Sequence, residues 1–402
     1  MGNKHLVRAA VPLAVGAMLL AGCGGSSSGG GGGSTSGKTY KIGFEGPLSG
    51  GNAALGINEL NGVTLAVDQA NTNSTLPYKL AVLKSDDQGS ADGGPPAARK
   101  LIGDSGVIAE VGPSFSGASD ATGSLYKAAN LLMATPSATL PDITTHGFST
   151  FYRAVADDNA QGPPDADYLI KKVKAKSIFL IDDTTDYGKG LATAFKAQVS
   201  KDGAKLAGSD SAPQTSTCIP GATGSTSQYS SEASKVKSSN ADAVFYAGYY
   251  CDFGLLAKAL RNAGYQGQLM SGDGSDDGKY ITGAGTAAAE GTLLSCQCSD
   301  IASNPKGAAF ISAYKAKFGV DPGAYSAEAY DVTNAIIGVL QGLNGNVDRA
   351  KIVSAFASVD YKGLTKQIVF GPDHNLKVQT AFLYKVKSGK ITYLGDLTTL
   401  TA

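Results

Sequence analysis

Residues Val107 to Thr139 constrain this chain more than any other stretch. Two short apolar runs, Val107-Ile-Ala-Glu-Val111 and Leu131-Leu-Met-Ala134, each stop abruptly at small hydroxylated residues: Gly112-Pro-Ser-Phe-Ser-Gly117 and Thr135-Pro-Ser-Ala-Thr139. Runs of this kind, separated by a helix over about 118–129, are strands of a buried parallel sheet. In such sheets ligands sit just beyond the carboxyl ends of the strands. The hydroxyls of Ser114, Ser116, Ser137 and Thr139, with the backbone N–H groups around them, suit a small anion such as a carboxylate.

The pattern extends in both directions. Tyr40–Phe44, a helix over 60–69, Tyr78–Lys84 and a helix over 96–102 precede it, so the order is β-α-β-α-β-α-β, that of a doubly wound sheet. Phe151–Val155 reads as a strand leaving this lobe. A second series repeats the plan: a helix over 159–171, strand Ser177–Asp182, a helix over 191–199, strand Ala243–Ala247, a helix over 253–262 and strand Gln268–Ser271. Residues 214–228 carry no periodicity and read as loop. Gly291–Ser295 reads as the start of a return to the first lobe. Helices over 305–318, 326–343 and 348–356 follow, then a hairpin around Ser388-Gly389. The expectation is two α/β lobes joined by several crossings, with a cleft over a hinge. The first comprises 38–156 plus 298–378, the second 157–297 plus 379–402.

The amino terminus reads as a processing signal. Lys4, His5 and Arg8 precede an apolar run, Ala9 to Leu20, too short to span a bilayer, which ends in Leu20-Ala21-Gly22-Cys23. That is a bacterial lipoprotein signal over 1–22, with Cys23 as the lipidated residue. The Gly/Ser-rich segment 23–37 reads as a tether spanning about 20 Å on average. The folded body is thus expected outside the cytoplasm, where disulfides persist. Cys218, Cys251, Cys296 and Cys298 allow three pairings, of which Cys218–Cys251 with Cys296–Cys298 is preferred.

Several function classes lack support. With 34 basic and 34 acidic residues the formal charge is zero, which implies no general attraction to nucleic acid. The GxGxxG pattern is missing, and His146 and His374 have no motif tying them to a nucleophile. No cofactor or metal is expected. Asp273-Gly-Ser-Asp-Asp-Gly278 imitates an EF-hand start, but the twelfth position is Ala284 and lacks the bidentate acid. Asp276 and Asp277 read as solvated surface, Ser114 as a turn former and Tyr250 as a packed tyrosine.

Six segments together resemble the leucine/isoleucine/valine-binding family of ABC-transporter substrate-binding proteins: Lys41–Gly50, Val111–Gly117, Ala134–Thr139, Asp186–Gly190, Asp242–Tyr249 and Ser271–Gly274. The resemblance implies a type I periplasmic-binding-protein fold. It implies an amino-acid ligand, branched-chain or otherwise aliphatic, captured between the lobes and delivered to an ABC permease in the membrane. The ligand's carboxylate would be held by Ser116, Ser137 and Thr139, and its ammonium by Asp273, where Glu is common. Tyr187 and Tyr249 would line the site. Leu55 stands where the family often has an aromatic, which bears on side-chain preference. A monomer without enzymatic activity is implied. The alternatives are a receptor of this fold for an amide, urea or an aromatic acid, and a sensor lipoprotein without a transport role.

Overall fold

The computed structural model describes residues 37–73, 76–215 and 226–402. In the first lobe β1 (Thr39–Gly46), α1 (Ala53–Asn73), β2 (Lys79–Asp86), α2 (Gly94–Gly103), β3 (Val107–Val111), α3 (Ser116–Ala128), β4 (Leu132–Thr135) and β5 (Phe151–Arg153) alternate. All five strands pair in parallel, in the order β2-β1-β3-β4-β5. The order reverses between β1 and β3, and the crevice beyond their carboxyl ends is where a sheet of this winding places a ligand.

The second lobe repeats the arrangement with α4 (Asp158–Asp167), β6 (Ser177–Asp182), α5 (Asp186–Lys201), β7 (Lys205–Ser211), α6 (Ser230–Ser239), β8 (Ala243–Ala247) and α7 (Tyr250–Asn262). It continues through β9 (Gln268–Ser271), α8 (Gly278–Ala284), α9 (Thr286–Ala289) and β10 (Leu293–Cys296). The chain then returns to cover the first sheet with α10 (Gly307–Phe318), α11 (Ser326–Gly342) and α12 (Arg349–Phe356), followed by a small ribbon of β11 (Tyr361–Lys362) and β12 (Gln367–Ile368). It ends in the second lobe with β13 (Phe382–Lys387), β14 (Lys390–Asp396) and α13 (Leu397–Thr401). The second sheet runs β14-β13-β10-β9-β8-β6-β7, parallel except where β13 opposes both β10 and β14.

The two cores follow from the strand sequences. Strands covered on both faces are largely apolar: every residue of β3, β4 and β8 is buried, and all but Glu110 and Thr135 are apolar. Val332, Ile336, Leu340, Ile352 and Phe356 of α11 and α12 share one cluster with Ile42, Phe44, Val111 and Leu132 of the first sheet. The approach of α11 to α1 requires Gly62, because a Cβ there would lie 2.1 Å from the Ser326 carbonyl oxygen.

Four sequence expectations are corrected. Helix α1 begins at Ala53, seven residues before the apolar periodicity at Leu60, and so includes Leu55. Phe151–Arg153 remains in the first sheet as the partner of β4, and the chain leaves that lobe only after it. Leu293–Cys296 is an inner strand of the second sheet rather than the start of the return. Asp276 is 8% exposed and Asp277 half-buried, its Oδ1 capping α8 through the Lys279 N–H at 2.8 Å. The Cys296–Cys298 disulfide is formed. Cys251 is disulfide-bonded too, whereas Cys218 lies outside the described residues. So do the 1–22 signal, Cys23 and the tether up to residue 36.

Candidate ligand site between the lobes

The first rim is built by hydroxyls that tie two strand ends together. Thr135 donates its hydroxyl to the Pro113 carbonyl at 2.8 Å and accepts the Ala138 N–H at 2.9 Å. The Ser137 hydroxyl donates to the Ser114 carbonyl at 2.6 Å, and Ser116 Oγ accepts the Leu140 N–H at 3.2 Å. Ser116 is the first residue of α3, whose opening N–H groups have no helical acceptor. Behind the rim lies Arg153, wholly buried. Its guanidinium donates to the carbonyls of Ala138, Leu140 and Pro141 at 3.1, 2.6 and 3.2 Å, and to Asn375 Oδ1 at 2.8 Å. It therefore fixes the loop after β4 from below.

The second rim carries the charge. Asp273, 4% exposed, follows β9; its Oδ1 accepts the Tyr187 hydroxyl and its Oδ2 the Tyr325 hydroxyl, both at 2.8 Å. Tyr187 also accepts the Gly274 N–H at 3.0 Å, and a Cβ on Gly274 would lie 2.8 Å from the Tyr187 ring. Burial raises the Asp273 pKa, while Tyr325, Tyr187 and Gln161 oppose that shift through hydrogen bonds. Tyr325 reaches Asp273 from the start of α11 in the first lobe. It adopts φ 62°, a left-handed conformation rare for a bulky residue and of the kind that clusters at functional sites.

The lobes meet around a buried cavity. Phe115 of the first lobe stacks on Tyr249 of the second with ring centroids 4.2 Å apart. The Ala54 N–H donates to the Tyr250 hydroxyl at 3.2 Å, which gives that packed tyrosine a role in the contact between lobes. The walls are Leu55, Glu59, Ser114, Phe115, Ser116, Ser137, Tyr187, Tyr249, Asp273, Gly274 and Tyr325. Among these the only ionisable groups besides tyrosine are the carboxyls of Glu59 and Asp273, and no cationic side chain is present.

Six of the seven ligand residues expected from the sequence therefore converge: Leu55, Ser116, Ser137, Tyr187, Tyr249 and Asp273. Thr139 does not line the cavity. It is fully buried, its carbonyl accepting the Asp158 N–H at 3.0 Å and its hydroxyl lying beside the Asp158 carboxyl. The sequence reading missed Glu59, Phe115 and Tyr325. Phe115 supplies a ring to the cavity that Leu55 also lines, so the first-lobe wall has an aromatic after all. Its place inside the Gly112–Gly117 loop was the available signal. Nothing local marked Glu59 or Tyr325.

Two α/β lobes crossed several times by the chain and closing on a cavity lined by hydroxyls and carboxyls define a capture protein for a small ligand. The comparisons specify the class further: the Periplasmic binding protein family matches residues 39–390, and the chain belongs to that family. Leu/Ile/Val-binding protein homolog 3 of Brucella melitensis is 33% identical over 315 residues, 78% of this chain and 82% of that protein. The Leu/Ile/Val-binding protein BraC3 of Rhizobium johnstonii is 30% identical over 352 residues, 87% of this chain and 92% of that protein. Among solved structures, the branched-chain amino acid transporter substrate binding protein LivJ of Streptococcus pneumoniae, in complex with isoleucine, superposes with a TM-score of 0.78. It is 27% identical, with 89% of this chain and 100% of that chain covered. Among the described residues no helix is long and apolar enough to cross a membrane.

Proposed function

We propose that this protein is the extracytoplasmic receptor of an ABC importer, capturing an aliphatic α-amino acid between its lobes and presenting it to the membrane permease. One observation carries the reading: a rim of hydroxyls and N–H groups on one lobe faces a buried, hydrogen-bonded carboxylate, Asp273, on the other. A zwitterion matches both halves. Its carboxylate is held by Ser116, Ser137 and the N-terminus of α3, with Thr139 supporting the rim from behind. Its ammonium is held by Asp273, with the rings of Tyr187 and Tyr249 against it. The relatives named for Leu, Ile and Val support an aliphatic side chain, as do Leu55 and the stacked Phe115–Tyr249 pair on the wall.

The reading includes no chemical step on the ligand; the closed lobes are themselves the signal to the permease. It includes a monomer anchored through a lipid on Cys23. A thermal-shift screen of residues 38–402 with leucine, isoleucine, valine, an amide, urea and benzoate tests it. Stabilisation by the three amino acids, growing with concentration, is expected. Melting curves that respond to urea or benzoate, and to none of the amino acids, would reassign the ligand.

A further inference from the structure

The anion rim contains a group that simple capture leaves without a role. Glu59, in the second turn of α1, is wholly buried in the cavity wall beside Ser114 and Ser137. Its Oε2 accepts the Ser114 hydroxyl at 2.7 Å, while Oε1 has no hydrogen-bond partner among the described residues. The nearby Ser137 hydroxyl has committed its proton to the Ser114 carbonyl. An ionised Glu59 would therefore bring a second negative charge to the place where the rim gathers donors for an anion.

Among the described residues, the ionisable groups around that charge offer it no compensation. The groups acting on Glu59 from neighbouring elements are Asp87 after β2 and Glu328 on α11, and Glu110 of β3 stands close enough to feel it. Glu45 of β1 lies beside Glu110, and Asp273 with Tyr187, Tyr249 and Tyr325 completes the cavity. All of these are acids or phenols.

We propose that Glu59 works as a neutral carboxylic acid in the anion rim, its O–H donating toward the ligand's carboxylate, so that capture of the anion is conditional on that proton. The inference rests on the capture reading above. The observed division of its oxygens fits this state, since one accepts from Ser114 and the other is free to carry the proton. Burial pushes Glu59 up to about 8, with Asp87 and Glu328 acting the same way and the Ser114 hydroxyl opposing. The proton is thus present at neutral pH and is lost as the solution turns alkaline. In this assignment Glu59 is a binding group with a pH limit, in a rim that otherwise reads as hydroxyls and backbone alone.

Calorimetric titration of leucine into wild type and Glu59→Gln at pH 7 and pH 9 tests the assignment. Glutamine keeps a donor and cannot ionise. Any titration of the leucine ammonium is common to both proteins and cancels when the pH 9 to pH 7 ratio of Kd is compared. A group titrating at about 8 predicts that this ratio is about tenfold larger in wild type than in E59Q. Repeating the titration in two buffers of different ionisation enthalpy counts protons, and the wild type should take up more per leucine than E59Q at pH 9. Equal ratios and equal proton uptake, with leucine bound by both, overturn the role of Glu59 and leave the capture reading standing. Failure of leucine, isoleucine and valine to bind the wild type at either pH overturns the capture reading and the Glu59 assignment with it. Should E59Q not melt cooperatively, the wild type decides alone: about half a proton taken up per leucine at pH 8 supports the assignment, and none overturns it.

Discussion

The Tyr325 hydroxyl donates to Asp273 Oδ2 at 2.8 Å, a hydrogen bond that crosses from the first lobe to the second. It makes Asp273 a latch as well as a ligand group, because the carboxylate that faces the cavity also fastens the lobes. Tyr325→Phe removes the bond and keeps the ring. A hydrogen bond to a charged acceptor contributes about 1.5–3 kcal/mol, so leucine affinity should fall roughly tenfold or more. Small-angle scattering of Y325F should also show a larger radius of gyration than wild type at the same sub-saturating leucine. Wild-type affinity in Y325F would remove the latch from the account.

Asp273→Asn tests the charge itself. The amide oxygen can still accept one tyrosine hydroxyl, but the amide nitrogen donates where the second tyrosine also donates. Removing one member of a buried charge pair costs about 3–5 kcal/mol, so leucine binding should weaken by about a hundredfold or more. A drop below threefold in calorimetry would mean that the ammonium is held elsewhere.

Arg153 holds three carbonyls of the loop that carries Ser137 and Thr139, and the guanidinium is fully buried. Arg153→Met preserves bulk and strands those carbonyls, at about 1–3 kcal/mol for each buried group left unsatisfied. Denaturant unfolding should show a lower midpoint with an unchanged slope, and leucine affinity should fall with it. A midpoint equal to wild type would mean that water replaces the guanidinium at no cost.

Asp276 predicts how stability varies with pH. Burial, followed by Asp277, Asp273, Asp300 and Glu328, pushes its carboxyl up to about 8. In the unfolded chain the same group ionises near 4. Between those values the unfolded state has given up a proton that the folded state keeps. The contribution of Asp276 to stability is therefore complete below pH 4 and is lost as pH rises toward 8. Asp276→Asn should melt progressively higher relative to wild type between pH 5 and pH 8, whereas parallel curves would show that Asp276 is not the titrating group. Glu59 and Asp87, raised to about 8 and about 7, act in the same direction in both proteins.

Much of this was legible because strands buried on both faces are written as nearly continuous apolar runs. Val107–Val111 and Ala243–Ala247 could hardly be anything else, and the rims follow where such runs stop. Helix α1 was harder: Ala53 to Glu59 is rich in small and polar residues, and its start meets the second lobe through the Ala54 N–H and the Tyr250 hydroxyl. The same limit applies to Tyr325, whose neighbours in sequence say nothing of Asp273, 52 residues earlier. Asp276 reads as surface because two adjacent aspartates usually are, yet it is buried and lines a cavity together with the sequence-distant Cys298, Asp300 and Tyr384. Contacts made across the cleft leave no periodic trace in the chain.

The interleaving of the lobes bears on how the protein is made. Ile42, Val111 and Leu132 of the first sheet are sealed by Val332, Ile336 and Phe356. As the chain emerges from its amino end, those strands must wait some two hundred residues for their cover, while the whole second series is produced in between. The first lobe is thus covered only after most of the second has appeared, and the second in turn closes last, with β13 and β14. No single cut in the polypeptide yields a self-sufficient half of the binding site. A chain built this way favours export unfolded and assembly in one late step, and places the greatest exposure to misassembly on strands that later cradle the ligand.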